Sequence, residues 1–134
     1  MTHLTPELTL LGWSVGVLLL YIAVQGGTAM REQGPAFNAG PRDDPKPLGA
    51  VAGRARRALE NFKETYPVFI ALTLALAVAG RAGGIADTGA WIWFIARIVY
   101  LPLYVFGVPW VRTLAWGTAA VGLTMMLVRL LAGG

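Results

Sequence analysis

The most regular feature of the chain is a series of four apolar runs separated by short polar segments. The first run, residues 8–30, contains no Asp, Glu, Lys, Arg or His. It exceeds the roughly 20 residues that a helix needs to cross a bilayer. The pattern predicts four spanning helices within a single domain, residues 1–134, with bounds of about 8–30, 57–80, 90–107 and 111–131. We therefore expect an all-α integral membrane four-helix bundle.

A polar segment, residues 31–53, separates the first two runs and is predicted to be a loop. It combines prolines, glycines and charged side chains, a composition that breaks regular structure. Further basic residues follow it at Arg54, Arg56, Arg57 and Lys63. Because loops rich in Lys and Arg remain in the cytoplasm, we expect the 31–53 loop to be cytoplasmic and both termini to lie outside.

Composition agrees with a membrane protein and removes several kinds of chemistry. Charged residues make up 13% of the chain, against roughly 25% in typical soluble domains. The net charge of +4 does not indicate nucleic-acid binding, because the basic residues lie in one loop and at helix ends. The absence of cysteine excludes disulfides, thiolate metal sites and a cysteine nucleophile, so any thiol must come from a substrate. With one histidine, His3, and one serine, Ser14, no Ser-His-Asp set and no metal site are predicted.

Polar side chains form a stripe at the start of the second predicted span. Arg54, Arg57, Asn61 and Glu64 are spaced 3, 4 and 3 residues apart and project from one face of a helix. Arginine binds carboxylates through its planar fork, a glutamate can accept from an ammonium, and an amide can bond a peptide. The stripe therefore suits a ligand with carboxylates and an amine. An ion-pair network that only fixes helix packing explains it equally well.

Arg97 interrupts the centre of the third predicted span. A charge at this depth costs about 2.5 to 3.5 kcal/mol on insertion scales and usually faces a bundle interior or a wet cavity. Snorkelling to the membrane surface is the alternative, and the depth of Arg97 makes it the weaker one. Tyr100 and Tyr104 follow on the same helix face. The three residues predict a polar ladder directed into the bundle.

Arg112 lies in the first turn of the fourth predicted span. The helix dipole opposes a cation at this position, so an anion or a carboxylate partner is one explanation. The other is the ordinary enrichment of arginine on the cytoplasmic side. Both readings remain open from these residues alone.

Taken together, these motifs resemble the MAPEG family, the membrane-associated proteins of eicosanoid and glutathione metabolism. The resemblance is carried by Arg57-Ala-x-x-Asn61-x-x-Glu64-x-x-Pro67-x-Phe69, then Arg97-x-x-Tyr100-x-x-x-Tyr104, and Arg112 beyond it. It implies a short, bacterial-type member in the inner membrane. It also implies a homotrimer that binds glutathione between adjacent subunits.

The resemblance implies roles for individual residues. The implied glutathione-binding residues are Arg31, Arg54, Arg57, Asn61, Glu64, Arg97, Tyr100 and Tyr104. Arg112 is implied to stabilise the glutathione thiolate and is the candidate catalytic residue. Leu59 and Thr65 depart from the family pattern, because several members have His or Gln at the first position and some have an aromatic residue at the second.

The expected function is a glutathione-dependent membrane transferase or peroxidase, with glutathione as co-substrate and no metal. Its second substrate would be a hydrophobic electrophile or a lipid hydroperoxide drawn from the bilayer. A non-catalytic lipid- or partner-binding protein on the same scaffold is the main alternative. A small transporter or channel subunit is weaker, because Arg97 is the only charge deep inside a predicted span.

Overall fold

The computed structural model describes residues 3–44 and 46–133 as an α-helical bundle without β-strands in these ranges. Its helices are α1 (Pro6–Gln33), α2 (Pro35–Ala39), α3 (Ala50–Val78), α4 (Ile85–Val105) and α5 (Val111–Ala132). The four long helices pack around one hydrophobic core, and α2 is a single short turn on the loop side. The predicted all-α membrane four-helix bundle is confirmed.

Three of the long helices, α1, α4 and α5, are long and apolar enough to cross a membrane. In α3 the N-terminal half carries the polar stripe and its neighbouring charges, interspersed with buried apolar residues, and the longest uncharged run lies in the half that follows. The chain is a membrane protein on this basis. The crossing of the bilayer by α3 remains a prediction.

The helix boundaries on the loop side differ from the predicted ones. Helix α1 continues to Gln33, α2 interrupts the predicted 31–53 loop, and α3 already begins at Ala50. Gly34 separates α1 from α2 with a φ of 89°, a conformation that favours glycine. Backbone hydrogen bonding continues in water beyond an apolar run, so hydrophobicity marks where a helix is lipid-facing and not where it ends.

The two ends of α4 also differ from the prediction, which placed this span at 90–107. The helix begins at Ile85 and ends at Val105. Its first turn contains Asp87, an acidic residue that the positive end of the helix dipole favours. This turn lies before residue 90, where the apolar pattern did not predict a helix.

Aromatic rings fill the interface between α3 and α4. The rings of Phe69 and Trp93 stack with centroids 4.0 Å apart and an interplanar angle of 8°. Tyr66 stacks on the same indole at 5.8 Å, and Phe62 meets it edge-on at 5.6 Å. Such pairs contribute about 0.5–1.5 kcal/mol each beyond their buried area. The stack fixes the rotation of α3 against α4 and so positions the polar residues that precede it.

Glycines allow α4 and α5 to approach closely. A Cβ added to Gly122 would lie 2.5 Å from the carbonyl oxygen of Gly89 and 3.1 Å from the backbone nitrogen of Trp93. Gly89 faces the Gly122 carbonyl in the same way. Contact between these backbones holds α5, and with it Arg112, against the helix that carries Arg97.

Candidate functional site

Arg54 and Arg57 join the start of α3 to the end of α4. The guanidinium of Arg54 donates through Nη1 to the carbonyl oxygen of Val105 at 2.8 Å. Arg57 Nε donates to the hydroxyl of Tyr104 at 3.1 Å. Gly107, with a φ of 77°, leaves room for the Arg54 side chain, which would lie 2.5 Å from an added Cβ. Two residues of the predicted stripe therefore contact the C-terminal end of α4, where Tyr104 is the last residue of the predicted polar ladder.

Arg97 is buried at 1% exposure and binds across to α3. Its Nη1 donates to Asn61 Oδ1 at 2.6 Å, and its Nη2 donates to Thr65 Oγ1 at 2.7 Å. Arginine has only donors, so Asn61 must present its amide oxygen to Arg97. The amide nitrogen of Asn61 then points elsewhere and is available to a ligand as a donor.

Aromatic groups complete the surroundings of Arg97. The guanidinium carbon lies 5.7 to 5.8 Å from the ring centroids of Phe62, Trp93 and Tyr100, within the range of cation–π attraction. The hydroxyl of Tyr21 donates to the backbone carbonyl of Arg97 at 2.6 Å. Arg97 thus faces the bundle interior and makes interhelical contacts, as its depth predicts. It lies behind Asn61 and orients that amide, without lining either of the clefts described next.

Two polar clefts lie on the surface beside these residues. The first, the Glu64 cleft, has a volume of about 340 Å³ and is lined by Asn61, Glu64, Arg112, Thr113 and Trp116. The second, the Arg57 cleft, has a volume of about 350 Å³ and is lined by Arg54, Arg57, Tyr104, Arg112 and the turn residues 107–111. Arg112 is the one charged side chain common to both. The fold therefore gathers the predicted stripe and Arg112 into one continuous polar region.

Charges in this region are not consumed by ion pairs. No carboxylate–cation contact within 4.0 Å is formed among the described residues that line the two clefts. The exposed pair Lys63–Glu60, with N and O atoms 3.5 Å apart, lies outside both clefts. Glu64 makes no such contact with Arg57 or with Arg112. An ion-pair network, one of the two explanations for the stripe, is therefore not what the stripe forms in the monomer.

Arg31 and Tyr100 lie apart from the clefts. Arg31 is exposed in the last turn of α1 and lines neither cleft. Tyr100 is buried at 1% exposure and stacks on Tyr104 with ring centroids 5.1 Å apart. The predicted ladder is therefore divided: Tyr104 reaches a cleft, whereas Arg97 and Tyr100 support it from behind. The predicted binding of glutathione by these residues remains a prediction.

Three residues of the region were not singled out from the sequence as site residues. Thr65 accepts the second hydrogen bond of Arg97, and Thr113 and Trp116 line the Glu64 cleft. Thr65 follows Asn61 by one helical turn, a spacing that places both on the same face. Trp116 follows Arg112 by the same interval. That spacing is the signal by which both residues can be found.

An apolar groove of about 550 Å³ lies between α4 and α5. Ile95, Val99 and Leu103 line it from α4, and Leu114, Ala115 and Thr118 line it from α5. Tyr100 and Val111 also contribute, and Val111 lines the Arg57 cleft as well. The groove therefore lies next to the Arg57 cleft, with Val111 between the two.

Comparison with known proteins bears directly on the resemblance drawn from the motifs. No curated protein and no solved structure matches the chain. A sequence profile of the MAPEG family, in contrast, matches residues 9–132, which include all four long helices almost completely. The chain belongs to the MAPEG family.

Proposed function

We propose that the protein is a glutathione-dependent membrane transferase that also acts as a peroxidase on lipid hydroperoxides. Family membership supports a narrower statement, because the MAPEG family includes glutathione transferases and peroxidases and also non-catalytic members. The observation that carries the proposal is the position of Arg112. It lines both the cleft with Asn61 and Glu64 and the cleft with Arg54 and Arg57.

The charges in the two clefts are complementary to glutathione, which has two carboxylates, an ammonium, two peptide bonds and a thiol. Arg54 and Arg57 suit its carboxylates, and Glu64 suits its ammonium. The free amide nitrogen of Asn61 suits a peptide carbonyl, since Arg97 already occupies the amide oxygen. Each group of the tripeptide therefore has a partner of opposite polarity in one region.

Arg112 is proposed to stabilise the thiolate of bound glutathione. A free thiol has a pKa of about 8.5 and is mostly protonated at neutral pH. A neighbouring guanidinium favours the thiolate and lowers this pKa. Each unit by which the pKa falls corresponds to about 1.4 kcal/mol. The thiol proton leaves to water, so no protein base is required.

The thiolate then attacks a second, apolar substrate. In conjugation, the new S–C bond forms as the bond to the leaving group breaks and the leaving group departs with its electron pair. With a hydroperoxide, sulfur attacks the terminal oxygen, the O–O bond breaks, and the released alkoxide takes a proton to become the alcohol. A second glutathione thiol converts the sulfenic acid to a disulfide and water. The groove between α4 and α5 is the proposed path of the apolar substrate, because it is apolar and lies next to the Arg57 cleft, with which it shares Val111.

Both clefts are open to the surface of the monomer, and we propose that a neighbouring subunit of a homotrimer covers them. Arg31 is exposed at the end of α1 and lines neither cleft of its own chain. It is the proposed contribution of the adjacent subunit to glutathione binding. The positive-inside rule supports an orientation with this side in the cytoplasm and both termini outside, in a bacterial inner membrane.

Titration of the detergent-solubilised protein with glutathione in a calorimeter tests binding, and a conjugation assay with a generic aromatic electrophile tests turnover. We expect saturable binding and a rate that depends on protein concentration. The matched control is Lys63→Gln, which removes an exposed charge from α3 outside both clefts. No heat at millimolar glutathione would overturn the proposal, and binding without turnover would identify a non-catalytic member.

A further inference from the structure

Another cavity, at the loop end of the bundle, is separate from the two clefts and from the groove between α4 and α5. It has a volume of about 520 Å³ and lies between α1, α2 and the start of α3. Three basic residues belong to its lining, namely Arg42, Lys46 and Arg56. Apolar or small residues of its lining are Ile22, Gly26, Ala29, Phe37, Pro47 and Leu48. The lining, which also includes Gln25, Gln33 and Asn38, thus combines basic, polar and apolar residues.

Hydrogen bonds hold the segment after α2 in place over α1. Gln33 Nε2 donates to the Lys46 carbonyl oxygen at 2.9 Å. The backbone N–H of Gly49 donates to the Glu32 carboxylate at 2.6 Å. Arg42 donates from Nε and Nη2 to the carbonyl oxygen of Asn38 at 3.0 and 2.9 Å. The chain segment that carries Arg42 and Lys46 is therefore anchored to α1 and α2.

Carboxylates are absent from the lining of this cavity as far as the structure describes it. Glu32 directs its carboxylate to Gly49, and the exposed Asp43 and Asp44 lie outside the lining. The described lining itself therefore carries three cations and no carboxylate, and Asp43 and Asp44 follow Arg42 in the chain outside that lining. The complementary group is an anion such as a phosphate.

An apolar stripe of α1 leads from the middle of the helix into this cavity. Val15, Leu19, Ile22, Gly26 and Ala29 are spaced 4, 3, 4 and 3 residues apart and share one helix face. The first three are 47%, 60% and 45% exposed, and the remaining two line the cavity, as does Ile22. A Cβ added at Gly26 would meet nothing within 4 Å, so the stripe is open at this point.

We propose that this cavity binds an anionic glycerophospholipid of the bilayer. The phosphate lies among Arg42, Lys46 and Arg56, and one acyl chain follows the α1 stripe past Gly26 toward Val15. Helix α1 is apolar and long enough to cross the membrane, so its end lies at the level of lipid headgroups. Basic pockets between helices at this level bind anionic headgroups, and each cation contributes about fivefold to the affinity. The site is independent of glutathione and of the proposed reaction.

Native mass spectrometry of the full-length protein in a non-ionic detergent tests the proposal. The protein is titrated with dioleoyl phosphatidylglycerol, dioleoyl phosphatidylcholine and soluble glycerol 3-phosphate. We expect phosphatidylglycerol to bind preferentially. The triple variant Arg42→Gln, Lys46→Gln, Arg56→Gln should weaken its binding on the order of a hundredfold. Gly26→Leu leaves these charges intact but should weaken binding about tenfold, the equivalent of two buried CH₂ groups.

Two matched controls separate the site from general effects of charge and shape. Gly27→Leu adds the same side chain at the next position of α1, where a Cβ also meets nothing within 4 Å and which does not line the cavity. Lys63→Gln removes a cation elsewhere on the same side. Both should retain wild-type affinity. Any of three results would overturn the proposal. These are equal affinity for the two lipids, an equal loss of affinity in the control variants, and binding of glycerol 3-phosphate as tight as that of the lipid.

Discussion

Arg97 on α4 donates a 2.6 Å hydrogen bond to the side-chain oxygen of Asn61 on α3 and thereby decides which end of that amide faces the Glu64 cleft. The amide nitrogen is left as a donor. A ligand that offers a carbonyl or carboxylate oxygen at this point is favoured, and one that offers an N–H is disfavoured. Arg97 is thus a positioning residue, since its contact with a ligand runs through Asn61.

Asn61→Asp tests this relationship. The carboxylate can still accept from Arg97 and places a negative charge in direct contact with the buried guanidinium, so the thermal stability of the bundle should be kept or raised. The donor toward the cleft is lost, and a buried acceptor facing a ligand oxygen costs about 1–3 kcal/mol. We expect the glutathione Kd to rise by at least tenfold in calorimetry. Unchanged affinity would show that the amide nitrogen does not contact the ligand.

Thr65→Val is the matched control for that variant. It removes the hydroxyl that accepts from Arg97 Nη2 while the Asn61 amide keeps its own bond. Stability should fall by about 1–3 kcal/mol, because the buried Arg97 Nη2 donor is left unpaired and the 3.4 Å hydrogen bond from Trp93 Nε1 to the same hydroxyl is lost as well. Glutathione affinity should change far less than in Asn61→Asp.

For Arg97, the sequence predicts the location of the side chain but not its hydrogen-bond partners. A single cation inside an apolar run predicts that the side chain faces the interior and pairs there, and the structure places it accordingly. Which groups it meets depends on the rotation and axial offset of α3 against α4. Stacking of Phe69 and Trp93 sets both quantities. No local pattern encodes them, so the partners Asn61 and Thr65 emerge only from the packed bundle.

The ends of the helices are a second feature that the apolar pattern predicts only in part. The four apolar runs identified all four long helices, yet they placed the start of the second near residue 57, whereas α3 begins at Ala50. A helix that leaves the membrane keeps its hydrogen bonds while its side chains become polar. The Arg54 contact with Val105 depends on this additional turn, because Arg54 lies in it.

Gly122→Ala tests the close crossing of α4 and α5. The added Cβ would lie 2.5 Å from the Gly89 carbonyl oxygen, so the helices must separate. Overpacking of this kind costs about 1–3 kcal/mol, more than the roughly 1 kcal/mol that alanine gains over glycine in a helix. We expect a lower melting temperature in detergent.

Gly117→Ala is the corresponding control on the same helix, because a Cβ at Gly117 meets nothing within 4 Å. It should leave the melting temperature unchanged or raise it. A Gly122→Ala variant as stable as Gly117→Ala would contradict the crossing described here.

Arg112→Gln tests the proposed stabilisation of the thiolate. Loss of a neighbouring positive charge raises the pKa of the bound thiol toward its ordinary value, by about one unit or more. The thiolate form is then populated only at higher pH, so the rise of kcat with pH should shift upward by about one unit. At neutral pH the rate should fall by about tenfold. Conjugation rates measured from pH 6 to 9 give the shift.

A structural role alone would move the pH profile of Arg112→Gln very little, and for this reason the profile is the decisive measurement. Lys63→Gln removes one positive charge outside both clefts and controls for the general field of the protein. Its profile should overlay that of the wild type. A reduced rate in Arg112→Gln with an unshifted profile would assign Arg112 to binding or packing and not to the thiolate.

Thr118→Trp tests the groove between α4 and α5 as the path of the apolar substrate. Thr118 is exposed and lines the groove, so an indole at this position fills part of its 550 Å³ without entering the core. The KM for a bulky apolar electrophile should rise several-fold, whereas glutathione affinity should remain unchanged because both clefts lie elsewhere. Val121→Trp places the same ring on an exposed face of α5 outside the groove and should behave as the wild type. If both variants leave the KM unchanged, the apolar substrate reaches the thiolate by another route, and the open sides of the polar clefts become the surface through which it must enter.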